Sequence, residues 1–83
     1  MEKILKALAN HRRLLILKIL KTKKKKSVGN IAKDIKLSFK ATSRHLIVLY
    51  SSNIVVREQI ALQMYYSLNP ALLKPAQLII SLL

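Results

Sequence analysis

Residues 27–53 read SVGNIAKDIKLSFKATSRHLIVLYSSN and contain two short amphipathic segments joined by a tight connection at Lys36-Leu37-Ser38. In the first segment, apolar residues recur at the i, i+3, i+4, i+7 spacing of one helix face. These residues are Val28, Ile31, Ala32 and Ile35. Ser27 is placed to cap this helix, and Ser38 to cap a second helix over about residues 38–52. The stretch therefore predicts two consecutive short helices.

The second of these helices has two different faces. Thr42, Leu46 and Leu49 share one face, and we expect it to point into the core, Thr42 included. Lys40, Ser43 and Arg44 share another face, at i, i+3 and i+4. Asn53 suits the left-handed residue that ends a helix. A helix pair whose second member carries a polar, basic face is the DNA-binding unit of helix-turn-helix proteins.

The residues before this pair predict two more helices. A short amphipathic helix covers residues 2–9, and Asn10 is placed to cap a second one over 11–21. The second is apolar on nearly all sides, which is typical of a helix packed from several directions. The run Lys21–Lys26 has only one uncharged residue and predicts a loop, because its like charges repel one another.

After Asn53 the hydrophobic period changes from helical to alternating. Residues 54–57 are rich in β-branched side chains and residues 62–68 alternate, so the two runs predict a β-hairpin. Its tip near Ile60-Ala61 lacks the glycine or Asn-Gly of a tight turn. Asn69-Pro70 predicts the start of a last helix, which Pro75 is expected to kink or restart.

This order of elements predicts a mainly α (α+β) winged helix-turn-helix: four helices, a two-stranded wing hairpin and a C-terminal dimerisation helix. We expect residues 1–83 to form a single domain, with the helix-turn-helix at 27–52, the wing at 54–68 and the C-terminal helix at 70–83.

The composition restricts the possible functions. Residues 1–44 hold 14 of the 16 basic side chains, so a polyanion is the expected partner, either nucleic acid or an anionic membrane surface. The chain has no cysteine for a thiolate site and one glycine, too few for a phosphate-binding loop. Ser43 and His45, at i and i+2, diverge on a helix, so no enzyme is expected. No segment approaches the roughly 20 apolar residues of a membrane span, and we expect a cytoplasmic protein. Of the two polyanions we expect nucleic acid and no membrane partner, because the basic residues cluster with the predicted DNA-binding helix pair.

Three blocks in order resemble the ArsR/SmtB family of bacterial and archaeal repressors. They are LKALANHRRL at residues 5–14, SRHL at 43–46 and MYYSLNP at 64–70, and the resemblance extends over about residues 4–73. In that family the first block begins the second helix, the next lies in the recognition helix and the last closes the wing. The resemblance implies a repressor.

The chain departs from the family's metal-sensing members. Ser27-Val28-Gly29 stands where those members have a Cys-x-Cys pair, and Ala71–Leu83 has none of the His, Asp or Glu ligands that others carry. We therefore expect no metal site and no cofactor, and the effector is unknown. The wing tip, Gln59-Ile60-Ala61-Leu62, also differs from the Arg and Gly that the family often has there.

The predicted DNA contacts centre on Arg44, whose planar fork suits guanine O6/N7 or a phosphate. For His45 a DNA contact and a hydrogen-bonded place beside the core are equally good interpretations. The run at residues 23–26 is a solvated loop, a non-specific DNA contact or a membrane patch. The DNA-contacting residues are Lys33, Lys36, Ser38, Lys40, Ala41, Ser43, Arg44, His45, Arg57 and Gln59.

An apolar stripe on the last helix, joined by the first helix, predicts a two-fold partner, because a monomer of this size would leave it exposed. A role in the core alone is the alternative. The stripe consists of Ile4, Leu8, Leu72, Ala76, Ile79 and Leu83. The predicted function is thus a homodimeric, sequence-specific regulator of transcription that binds double-stranded DNA. The alternatives are a non-specific architectural DNA-binding protein and an antitoxin-like protein-interaction module.

Overall fold

The computed structural model describes residues 1–83 and contains five helices and three short strands. The predicted order of four helices, a hairpin and a last helix is confirmed. The elements are α1 Glu2–Leu8, α2 His11–Thr22, β1 Lys26–Ser27, α3 Val28–Ile35, α4 Phe39–Ser51, β2 Val55–Ile60, β3 Gln63–Leu68 and α5 Lys74–Ser81. None of the helices is long and apolar enough to span a membrane.

Three helices begin at the capping residues that the sequence predicts. In each case the side-chain oxygen accepts a hydrogen bond from the backbone N–H three residues later. The distances are 3.1, 3.2 and 3.1 Å for Asn10, Ser27 and Ser38. Each cap satisfies one of the backbone donors that a helix leaves free at its start, and so fixes where α2, α3 and α4 begin.

Both helices of the helix-turn-helix end at a residue in the left-handed conformation. Lys36 has φ 56° and Asn53 has φ 61°, so the prediction for Asn53 is confirmed. The next residue, Leu37 or Ile54, donates its backbone N–H to the carbonyl five residues earlier, at 3.0 Å in both cases. This is the Schellman pattern, and it sets the angles at which the chain enters and leaves α4.

The sheet has three strands in the order β1-β3-β2, one more than predicted. The extra strand, Lys26–Ser27, pairs antiparallel with Tyr65 and Tyr66 of β3. The expectation of a loop over Lys21–Lys26 is therefore wrong at both ends, because α2 continues to Thr22 and Lys26 is in a strand. Two lysines of this run form ion pairs, Lys25 with Glu58 and Lys26 with Asp34, which reduces the repulsion that predicted a loop.

The hairpin turn consists of Ala61 and Leu62, since Ile60 pairs with Gln63. Ala61 has φ 56°, whereas Leu62 does not have a positive φ. A positive φ at the first central residue alone is the pattern of a type II′ turn, where glycine is the preferred residue. Leu62 is 98% exposed at the tip.

The last helix begins at Lys74, not at residue 70 as expected, and ends at Ser81. Asn69 does not cap it: its Oδ1 accepts the N–H of Ala71 at 2.9 Å in a local turn, and its Nδ2 donates to the carbonyl of Asn53 at 2.8 Å. Pro75 lies in the first turn of α5, so it restarts the helix and does not kink it.

The core is one cluster of 16 buried side chains drawn from all five helices and from the sheet. Its fully buried centre includes Ile16 and Leu17 of α2, Ile31 of α3, and Leu46 and Leu49 of α4. Because α2, α3 and α4 pack on the same centre, the orientation of α4 is set by side-chain packing as well as by its caps.

Candidate nucleic-acid interface

Helix α4 separates a buried face from a polar, basic one. Thr42, Leu46 and Leu49 are 0% exposed, as the helical period predicts. Lys40 and Arg44 are exposed on the other side. Neither forms an ion pair, since the two ion pairs of the chain are Lys25–Glu58 and Lys26–Asp34. The charges on this face are therefore free to bind an anion.

The other predicted contacts on α3, α4 and the connecting turn lie around these two side chains in the sequence. Lys33, Lys36 and Ser38 are exposed, and Ala41 and Ser43 are half-buried. The Ser38 hydroxyl oxygen accepts the N–H of Ala41, which leaves its own proton free to donate. Small side chains at the start of α4 allow an anion to approach the helix N-terminus closely.

His45 is half-buried and interacts with α2. Its Nδ1 lies 3.2 Å from Nη1 of Arg13. Partial burial lowers the pKa of His45, and the charges of Arg13 and Arg12 lower it further. A neutral imidazole can accept the Arg13 N–H at Nδ1. The structure thus shows the hydrogen-bonded interpretation of His45, while its contact with DNA stays a prediction.

Arg13 was not among the residues predicted to matter, although it connects three helices. Its Nε donates to the carbonyl of Ala7 at 2.6 Å and its Nη2 to that of Lys6 at 3.2 Å, at the C-terminal end of α1. Its third contact is His45 of α4. A guanidinium group satisfies helix-terminal carbonyls well because it carries five donors in a fixed plane. No local sequence pattern marks Arg13 for this role, because His45 lies 32 positions away in the chain.

The wing residue Arg57 is exposed but held in place by two tyrosines. Its guanidinium carbon lies 4.0 Å from the ring centroid of Tyr50 in α4, a cation–π contact. Its Nη1 donates to the Tyr66 hydroxyl at 3.4 Å, and this hydrogen bond raises the pKa of Arg57. Gln59 is exposed, and its Nε2 donates to the carbonyl of Ala61 at 3.5 Å. The Arg57–Tyr50 contact ties the wing to the end of α4.

Known protein families and solved structures share this architecture. The family described as "Bacterial regulatory protein, arsR family" matches residues 10–56, from the cap of α2 into β2. This chain belongs to the ArsR family. The family is one of transcriptional regulators, not of enzymes, and the resemblance expected from the three sequence blocks is confirmed. Among curated proteins, none matches the chain.

Solved structures of other family members share the fold. Reduced HlyU from Vibrio cholerae N16961 is 34% identical, with a TM-score of 0.82 over 96% of this chain and 80% of that one. The transcriptional repressor BigR from Xylella fastidiosa is 33% identical, with a TM-score of 0.78 over 94% and 74%. The homodimeric winged helix-turn-helix DNA-binding domain of Mb0332 from Mycobacterium bovis is 27% identical, with a TM-score of 0.82 over 98% and 71%. The winged helix-turn-helix fold is thereby confirmed.

The apolar stripe of this ArsR-family protein is not exposed as expected. Ile4, Leu8 and Ala76 are 8%, 4% and 1% exposed, because α1 and α5 pack against each other and against the rest of the core. Leu72, Ile79 and Leu83 are partly buried against the same core. The expectation of a stripe left uncovered on the monomer is therefore wrong, and a part in dimerisation stays a prediction for all six residues.

Other leucines of the same two helices are exposed. Leu78 of α5 is 65% exposed, and Leu82, one turn later and directly after the end of α5, is 86% exposed. Leu5 of α1 is 47% exposed. Large apolar side chains that share a helix face in this way are typical of a protein–protein contact. Sequence periodicity missed this face because the period does not say which side of α5 meets the core.

The positions at the start of α3, where metal-sensing relatives have cysteines, serve the fold here. Ser27 is buried and caps α3, Val28 is buried in the core and Gly29 is exposed. No group of three or more His, Cys, Asp and Glu side chains comes together in the structure. Of the two histidines, His11 is exposed and His45 contacts Arg13.

Proposed function

We propose that this ArsR-family protein is a sequence-specific DNA-binding repressor that acts as a homodimer. The observation that carries the proposal is the division of α4, whose buried face is tightly packed while Lys40 and Arg44 stand exposed and unpaired. A rigid helix with a free basic face fits the major groove of DNA.

Each part of the surface has a different role in this proposal. Arg44 makes the bidentate contact to a guanine edge or grips a phosphate, and Ala41 touches a thymine methyl group. Lys33, Lys36 and Lys40 neutralise phosphates, which supplies affinity without reading sequence. The remaining predicted contacts, to backbone or base edges, are Ser38, Ser43, His45, Arg57 and Gln59.

Two relatives support repression, homodimerisation and DNA binding in this proposal. BigR is described as a transcriptional repressor, and the Mycobacterium bovis domain as homodimeric and DNA-binding. A two-fold dimer places two copies of α4 in successive major grooves, so its half-sites lie about one helical turn apart. The exposed leucines on α5 and α1 supply the apolar surface for such a dimer.

The first test is selection of bound duplexes from a random pool by the purified protein. A repeated, two-fold symmetric sequence supports the proposal. Binding without any enriched sequence would mean a non-specific architectural protein. Stable co-purification with a different protein in place of self-association would favour an interaction module.

The roles of single residues are tested on the selected duplex and on a scrambled one. Arg44→Ala should reduce the preference for the selected duplex by a factor of about 5 to 150, because a lost bidentate pair costs about 1–3 kcal/mol and each 1.4 kcal/mol is tenfold. Lys24→Ala, which removes an exposed unpaired charge, should weaken binding to both duplexes alike. The logarithm of the binding constant should fall with log salt by about 0.9 per phosphate neutralised. Equal effects of the two substitutions, or no salt dependence, would refute the assignment.

The dimer surface is tested by analytical ultracentrifugation. The double substitution Leu78→Lys/Leu82→Lys should convert the dimer to a monomer, because it places charges in an apolar contact. Leu62→Lys changes a leucine on the wing that is even more exposed, at 98%, and should leave the dimer intact. Dissociation by the wing substitution alone would show that the contact lies elsewhere.

A further inference from the structure

A groove of about 450 Å³ lies between α2 and α3. Its floor is aliphatic, with Leu15 and Ile19 from α2 and Ile35 from α3. Leu15 and Ile19 are half-buried and Ile35 is 8% exposed. The floor therefore packs against the core while part of its surface stays accessible from the groove. The volume lies within the roughly 300–1,000 Å³ of small-molecule sites.

The rim of the groove is strongly basic. Four lysines line it, and the only acid there, Asp34, is already paired with Lys26. Lys18, Lys23 and Lys36 are exposed and form no ion pair. Three lysines without an ion-pair partner thus line the groove together with its apolar residues. Such a rim attracts an anion, and the floor gains free energy only from an occupant with apolar surface.

We propose that this groove binds an organic anion with an apolar body, namely a medium-chain acyl carboxylate. The carboxylate lies among Lys18, Lys23 and Lys36, and the alkyl chain covers Leu15, Ile19 and Ile35. Charge complementarity selects the head group, and burial of the floor selects the tail. An inorganic anion can only interact with the lysines of the rim. A neutral or cationic amphiphile can only cover the apolar residues of the floor.

Lys36 is shared with the proposed DNA surface, but binding in the groove can be tested separately from DNA binding, because the test needs no DNA. The 83-residue chain is suited to titration by two-dimensional NMR of its backbone amides, with decanoate below its micelle concentration as the probe. We expect saturable shifts centred on residues 15–23, in and directly after α2, and on residues 34–36 at the end of α3. Shifts centred on the exposed leucines of α5 would overturn the proposal.

A set of matched probes separates the contributions of charge and apolar surface. Each methylene group removed should weaken binding by about fourfold, the value for burial of one CH₂ group. Each step from decanoate to octanoate to hexanoate removes two methylene groups and should therefore weaken binding about 15-fold. Acetate and inorganic phosphate supply the charge alone, and decyltrimethylammonium supplies the chain with the opposite charge. Binding of any of these three with the affinity of decanoate would overturn the proposal.

The residues are tested by two double variants that lose the same charge. Lys18→Gln/Lys23→Gln removes two groups from the rim and should weaken decanoate binding about 25-fold, since each ammonium about 4 Å from a carboxylate contributes roughly fivefold even in bulk water. Lys3→Gln/Lys74→Gln removes two exposed lysines that do not line the groove and should leave the affinity within about twofold, because solvent and salt screen charges outside the site. An equal loss in both variants would show a general charge effect and refute the site. Unchanged thermal unfolding of each variant confirms that it is folded.

Discussion

Replacing Thr42 with valine should stabilise the protein. The Thr42 side chain is 0% exposed on the core face of α4, and its Oγ1 is the one buried side-chain polar atom that has no hydrogen-bond partner. A buried hydroxyl without a partner has lost its hydrogen bonds to water and has no protein hydrogen bond to replace them. Valine has nearly the same shape and is also β-branched, so it fills the same space with a methyl group.

The expected gain follows from the burial of this hydroxyl. An unsatisfied buried polar group costs about 1–3 kcal/mol, and we expect Thr42→Val to recover about 1–2 kcal/mol of unfolding free energy. For a domain of 60–100 residues, each kcal/mol raises Tm by roughly 4–8 °C. The variant should therefore melt about 5–10 °C higher than the parent chain.

The assay is urea and thermal unfolding followed by circular dichroism at a fixed protein concentration, because dimerisation would make Tm depend on concentration. Ser27→Ala is the matched control. Ser27 is also buried, but its hydroxyl caps α3, so its removal should cost about 1 kcal/mol. DNA affinity of Thr42→Val should be unchanged, since Thr42 faces the core. A loss of stability in this variant would refute the interpretation, because it would mean that the hydroxyl has a partner.

Three further predictions concern the wing tip, the Arg13–His45 contact and the segment before α5. Ala61→Gly should stabilise the protein by about 0.5–1 kcal/mol in urea unfolding, because glycine removes the cost of a positive φ but adds some unfolded-state entropy. A loss of stability in this variant would mean that the turn is not strained. His45 has a lowered pKa when folded, so stability should fall as the pH drops from 6.5 through the folded pKa, and His45→Gln should lose that acid-dependent part; an unchanged pH profile would contradict it. Asn69→Ala removes the bonds to Asn53 and Ala71 and should cost about 1–2 kcal/mol, measured by thermal unfolding; a neutral effect would show that water replaces these bonds.

The parts of the fold that depend on neighbouring residues were predictable from the sequence. Asn10, Ser27 and Ser38 cap helices through bonds to the third following residue, and Asn53 ends one by its own conformation. Capping and left-handed ends are local chemistry, so a single sequence is sufficient to place them. The faces of α4 were predictable for the same reason, since they repeat with the helical period.

The parts that depend on distant residues were not predictable. Strand β1 has two residues and exists only because it pairs with β3. The contact between Arg13 and His45 joins residues that are 32 positions apart. The start of α5 was misplaced because the side chain of Asn69 bonds to Asn53, an interaction that no local pattern indicates. The exposure of the apolar stripe was predicted wrongly, because the helical period identifies the apolar side of α5 but not the elements that pack against it.

The position of Asn69 has a consequence for the half-site spacing that the proposed dimer can bind. Its side chain and its backbone N–H bond to the carbonyls of Asn53 and Ile54, directly after α4, while α5 begins five residues further along the chain. These bonds hold the segment before α5 against the end of α4 within each subunit. One extra base pair between the half-sites shifts the second by about 3.4 Å and turns it by roughly 35°. Such a spacer should be bound as weakly as a single half-site.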